Sequence, residues 1–125
     1  INYTLPQSSL PDFICDDIMA IETSKNHQFD FISCINVIDR VSSPKLLINK
    51  LFNLLKSKGT LMLVDPYDWS LSPASKKNQI KDMKELLHTS QWNVIKEIKN
   101  VQYVVPISPS SERRYNCHLV MAEKI

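Results

Sequence analysis

Apolar residues fall in blocks separated by polar, proline-bearing stretches, and most blocks have a readable period. Residues 29–36, FDFISCIN, are β-branched and aromatic with little polar interruption, the pattern of a strand buried on both faces, as in a parallel sheet. VSSP follows, with Ser43 as helix cap and Pro44 in the first turn. In KLLINKLFNLLKSKG, Leu47, Leu51, Leu54 and Leu55 share one stripe at helical spacing, with Ile48 and Phe52 beside it. Basic residues close that helix, and Gly59 is placed as its C′ residue. TLMLV, 60–64, is a second continuous apolar strand that runs into DPYDW. Strand, helix and strand with short connections predict a right-handed parallel βαβ unit.

The flanking segments are read the same way. FICDDI, 13–18, is a short apolar run predicted as a strand ending at Asp16 and Asp17, and 20–28 is a polar connection. Residues 65–75 hold two prolines and read as a loop. SKKNQIKDMKELLHTS carries Ile80, Met83 and Leu87 as a helical stripe, and 92–100 reads as a strand. VQYVVPISPSSERR, with two prolines, reads as mostly loop. YNCHLVMAEK alternates Cys117, Leu119 and Met121 against His118, Val120 and Ala122, which suits a last strand. The sum is an α/β fold: parallel strands plus a final antiparallel strand, with helices packed on the faces.

Composition narrows the function. A chain of 125 residues suits a single domain, 1–125, with a real core. Net charge is +2, from 15 basic against 13 acidic residues, too balanced to argue for nucleic acid or an anionic membrane. Lys76, Lys77, Lys81 and Lys84 read as a solvated helix face. Cys15, Cys34 and Cys117 are an odd count without CxxC spacing, so they read as free buried thiols in a reducing compartment, the cytoplasm. No apolar run approaches the roughly 20 residues of a membrane span. The first residues, INYTLPQSSLPDF, lack a signal-peptide layout and look like a cut edge. His27, His88 and His118 show no metal-ligand spacing, and His118 reads as a satisfied, partly buried histidine. The single glycine, Gly59, excludes a phosphate-cradling loop within these residues.

Candidate chemistry gathers at the predicted strand ends, where ligands of open α/β sheets bind. One end carries Asp16 and Asp17, a second Asn36, Asp39 and Arg40, and a third Asp65, Pro66, Tyr67, Asp68 and Trp69. Each has an ordinary alternative: a surface pair or turn cap for Asp39 and Arg40, a turn residue for Asn36, an exposed charge for Asp16 or Asp17, packing for Tyr67 and Trp69. The coincidence of three such ends favours a pocket whose mouth the strands open into.

FDFISCINVIDRVSSPKLLINKLFNLLKSKGTLMLVDPYDW resembles the second half of the class I, Rossmann-like S-adenosylmethionine-dependent methyltransferases. The narrower pattern NxxDR, Asn36 to Arg40, with PYxW, Pro66 to Trp69, is similar to the seven-strand protein-histidine N-methyltransferases and to the methyltransferase domain of ovothiol-type enzymes. The resemblance implies S-adenosylmethionine as cofactor, with Asp16 or Asp17 and Ile18 at the adenine and Cys34 and Ile35 beside the methionine part. It implies Asn36 and Asp39 holding an acceptor imidazole as catalytic residues, Tyr67 walling the acceptor pocket and Arg40 buttressing it. The acceptor would be a small molecule or a peptide. Family strand order, 3-2-1-4-5-7-6, makes this chain a partial domain lacking the cofactor-loop half, which a missing N-terminal half or another chain would complete. The other reading is a catalytically inactive relative kept as an interaction scaffold.

Overall fold

The computed structural model describes residues 10–125. Its regular elements are β1 (Phe29–Ile35), α1 (Pro44–Leu54), β2 (Leu55–Asp65), α2 (Lys84–Leu87), β3 (Trp92–Ser108) and β4 (Ser111–Lys124). They form one four-stranded sheet in the order β1-β2-β4-β3. β1 pairs in parallel with β2, from Phe31 against Thr60 to Ile35 against Val64. β4 runs antiparallel to both neighbours.

Ser43 caps α1 by accepting the Leu46 N–H, and Pro44 occupies the first turn. Leu47, Ile48, Leu51 and Leu54 then face Cys34, Leu61, Leu63, Val120 and Ala122, with Met83, Leu87 and Trp92 closing the same core. Alternation explains the sheet side of this core: Leu61 lies opposite Ala122 and Leu63 opposite Val120.

Several sequence expectations change here. β1 is an edge strand: Phe29, Phe31 and Ile35 are 42–50% exposed, so only one of its faces is buried. α1 and α2 join the core on that same face. Residues 13–18 form no strand, because no strand lies beside them to pair with; Phe13, Ile14 and Cys15 are exposed. Cys15 is therefore not a buried thiol, although all three cysteines are free.

α1 ends at Leu54 and the chain passes directly into β2, so Gly59 is a strand residue. The carbonyls of Phe52 and Leu55 at that helix end accept from the Lys124 ammonium, 2.7 and 2.9 Å away, and no glycine cap is needed. Gly59 is required for a different reason: a Cβ there would meet Leu55 Cδ2 and Lys56 O at 2.9 Å.

Of the predicted helix at 75–90, only Lys84–Leu87 is helical. The Met83 N–H donates to the Tyr67 hydroxyl and the Lys84 N–H to Asp82 Oδ1, so side chains take donors that an earlier turn would have used. The Met83 and Leu87 side chains are buried all the same.

The predicted loop at 101–114 is a β arm. β2 pairs with β4 only at Thr60–Asp65 against His118–Glu123, so Val101–Ser108 and Ser111–Cys117 pair with each other and project past the carboxyl end of β2. Pro106 is tolerated because β3 is the outer strand.

Candidate functional site

The carboxyl ends of β1 and β2 lie side by side, and both leave the sheet through strained backbone. Asn36 (φ 58°) and Tyr67 (φ 56°) occupy the left-handed region, which costs a non-glycine residue energy and collects at functional sites. Asn36 still donates its N–H to Val64 O at 2.8 Å.

Two buried acids lace the exits together. Asp65, fully buried, accepts the Tyr67 N–H at Oδ1 (2.9 Å) and the Asp39 N–H at Oδ2 (3.4 Å). Asp39, 1% exposed, accepts the Asp68 N–H at Oδ2 (2.8 Å). Its Oδ1 has Arg40 Nε at 3.5 Å, and Arg40 also reaches Asp68 at 3.7 Å. Burial pushes the Asp65 carboxyl up to about 6, the backbone N–H bond from Tyr67 opposes this, and the charge of Asp39 adds to the rise.

Asn36, Asp39, Arg40 and Pro66 surround a cavity of about 180 Å³, closed on the other side by Tyr103, Val105 and Tyr115 of the arm. The Asn36 Oδ1 is buried without a hydrogen-bond partner. Native structures rarely leave such an atom unpaired, because the lost hydration is not replaced.

Tyr67 does not line this cavity, contrary to expectation; Pro66 takes that place. Its ring turns instead to a separate cavity of about 230 Å³ that it shares with Asp82, Cys117 and His118. Its hydroxyl accepts from Met83 N–H (2.7 Å) and shares a hydrogen bond with His118 Nδ1 at 2.6 Å. On its other side His118 Nε2 lies 2.9 Å from Glu97 Oε1. Glu97 is paired in turn with Lys84 at 3.0 Å. The chain Tyr67–His118–Glu97–Lys84 ties the β2 exit to β4, β3 and α2, and His118 is satisfied on both nitrogens.

The residues expected around the cofactor are not gathered at this mouth. Asp16 and Asp17 are exposed; Asp16 Oδ1 accepts the Asp17 N–H, and Asp17 caps a short turn by accepting the Met19 N–H. Ile18 packs partly against the core. Ile35 is half exposed on β1, whereas Cys34 is buried and its thiol is pushed up to about 12 by burial, so it offers no thiolate. Gly59 lies toward the opposite, amino end of β2. The described residues therefore do not by themselves build a cradle for S-adenosylmethionine. No group of three or more His, Cys, Asp or Glu among them is placed to hold a metal ion, and no helix among them is long and apolar enough to cross a membrane.

Sequence reasoning missed Tyr103, Val105 and Tyr115. The signal was the alternation in VQYVVPI, which the two nearby prolines masked.

A strand–helix–strand unit followed by an antiparallel hairpin, with polar groups at the parallel strand ends, is an α/β arrangement with a site at its strand ends. A family model for a methyltransferase domain matches residues 10–107, and the chain belongs to that family. No curated protein sequence matches it. Among solved structures, it is similar to one from work on the conversion of a disulfide bond into a thioacetal group during echinomycin biosynthesis. That match has TM-score 0.62 and 9% identity, and covers 87% of this chain and 54% of that one. It is also similar to the CurJ carbon methyltransferase, with TM-score 0.53 and 17% identity, covering 86% of this chain and 33% of that one. These likenesses carry the fold, and the chain spans about half and a third of the two structures' lengths.

Proposed function

We propose that this chain supplies the acceptor-binding part of an S-adenosylmethionine-dependent methyltransferase whose acceptor is a histidine-type nitrogen, in a peptide or a small thiol-bearing histidine. The observation that carries the reading is that Asn36 and Asp39, leaving β1 together, line one small cavity with Arg40 and Pro66. An imidazole attacks only through an unprotonated nitrogen, so the other nitrogen must keep its N–H and be held. Asn36 or Asp39 accepts that N–H, which fixes the tautomer and turns the free nitrogen outward. Arg40 holds Asp39 in place, and Tyr67 positions the Pro66 wall from behind.

The cofactor needs further structure. Among the described residues β1 has a free edge, and its Phe29, Phe31 and Ile35 are each 42–50% exposed. Such an edge invites another strand, so a further segment or another chain completes the sheet there and brings the methyl donor beside Ile35. Free cysteines suit a reducing compartment such as the cytoplasm.

The test is a transfer assay with labelled S-adenosylmethionine on the full-length protein, offering free histidine, a thiol-bearing histidine and a histidine peptide. Label on a ring nitrogen is expected, and Asn36→Gly should lower it by about tenfold or more through loss of one hydrogen bond. Label on carbon, oxygen or sulfur, or no transfer to any of the three, overturns the reading.

A further inference from the structure

We infer that Asp65, which does not itself line the cavity, is the positioning residue of this site: its two carboxylate oxygens clasp the two strand exits and so set the turn at 36–40 against Pro66. The inference rests on the acceptor reading above and adds what holds the acceptor's contacts in place. Asp65 is the last residue of β2 and is fully buried. Its Oδ1 accepts the N–H of Tyr67, two residues on, and its Oδ2 accepts the N–H of Asp39, 26 residues earlier. The Ile38 N–H reaches the same carboxylate. Asp39 reciprocates, because its Oδ2 accepts the Asp68 N–H. Each acid therefore holds the backbone of the other's exit, and the two turns cannot drift apart without breaking both.

A buried acid at this position needs a reason. Its charged form is disfavoured away from water, and strand pairing does not require it, since Asp65 meets His118 through the backbone ladder. An asparagine would offer one acceptor oxygen and aim N–H donors at the second amide, so only a carboxylate accepts from both directions. Both of its donors sit on tight backbone: Tyr67 at φ 56°, and Asp39 in the short turn Ile38–Arg40. The rim they carry is that of the cavity, with Asn36, Asp39 and Arg40 from the first exit and Pro66 from the second. Opening the clasp frees this rim and leaves the packing of Leu61, Leu63 and Val120 in place.

Protonation opens the clasp. Burial pushes the Asp65 carboxyl up to about 6, against the opposing Tyr67 N–H bond. A neutral carboxyl keeps one good acceptor oxygen, and the longer bond, from Asp39 at 3.4 Å, is the one given up. The other titratable groups around Asp65 are Cys34 of β1, Asp39 after it, Tyr67 on its own exit, and Cys117 and His118 of β4. An acid limb set by any of these survives the loss of Asp65.

The test is methyl transfer by the full-length protein to the histidine acceptor, measured as kcat/KM from about pH 5 to pH 8 for the wild type and Asp65→Asn. Below about pH 6 the wild type should fall with the square of the proton concentration, one proton on the acceptor and one on Asp65. Asp65→Asn should fall with the first power alone. It should also lose about tenfold in kcat at the alkaline end, as expected for one lost hydrogen bond, with the KM for S-adenosylmethionine unchanged. Amide NMR reads the clasp directly. The Asp39 and Tyr67 N–H signals should titrate together near pH 6, a step absent from Asp65→Asn, while signals from 61–63 and 120–122 stay in place. Identical profiles and kcat for the two proteins, or amides that move only near the ordinary aspartate value of about 4, overturn the inference. Should Asp65→Asn not fold, His118→Gln replaces it: an amide step that survives there supports the clasp, and one that disappears with His118 overturns it. No transfer to any histidine acceptor sinks the acceptor reading and leaves the amides to decide the clasp. Labelled histidine made equally well by Asp65→Asn keeps the enzyme and removes Asp65 from it.

Discussion

The two ends of the sheet handle buried charge in opposite ways. At the amino end, Lys124 is 6% exposed, yet its ammonium donates to Phe52 O and Leu55 O and lies 4.1 Å from the Phe52 ring centroid. His27 Nδ1 stands 3.3 Å from the same ammonium. Its donors have partners, and the result is a structural pin that closes α1 onto β4. At the carboxyl end, Asp39 and Asp65 are equally buried, but they are held by backbone N–H groups across strained turns, and Asn36 Oδ1 beside them is unpaired. The amino end is satisfied and serves stability, whereas the carboxyl end carries a cavity lined by Asn36, Asp39, Arg40 and Pro66, with room for a ligand. That contrast, more than any single residue, locates the site.

The comparison can be broken most severely at Lys124. Lys124→Met keeps an apolar stem but strands two carbonyls, and it should cost about 3 kcal/mol in urea unfolding. A loss below half of that would mean the amino end is not pinned by this residue. Tyr67→Phe comes next. It leaves the Met83 N–H and His118 Nδ1 without their shared partner, and about 2 kcal/mol should be lost with the sheet intact. Line broadening confined to 66–68 and 82–88 would show that the hydroxyl positions the cavity wall.

Asp65 sharpens the comparison through pH. Its folded carboxyl titrates near 6, above the ordinary value near 4 of an unfolded aspartate, because burial disfavours the charged form. Between about pH 4 and pH 6 the folded chain therefore binds the extra proton, and stability falls as pH rises through that window. Relative to Asp65→Asn, the protein should lose about 2 kcal/mol from pH 4 to pH 6 and nothing further above it. A flat difference between the two proteins over that range would remove the burial argument. The smallest effect expected is a gain: Asn36→Gly relieves the left-handed strain and deletes the orphan oxygen, and should stabilise by about 1 kcal/mol. Higher stability with weaker methyl transfer is the signature of a residue kept for function.

Much of this was legible in the chain. The strand at 29–35, the Ser43–Pro44 start of α1, the 60–64 strand and the final strand follow from period and capping alone, because they are local or depend on one continuous apolar face. The grouping of Asn36, Asp39 and Arg40 was readable for the same reason: five consecutive residues leaving one strand cannot be far apart. Tyr67 was not, since a left-handed turn swings its ring away from the neighbouring exit. Nor was the arm, whose inner face exists only when Tyr103 meets Tyr115 across a register set by a distant bulge. The Lys124 pin joins residues 69 and 72 positions apart. Local propensity and spacing thus determined the elements and the polar strand ends. Which of those polar groups share a cavity, and which one lacks a partner, was decided by strand register and tertiary packing, because a hydrogen bond depends on where its partner finally lies.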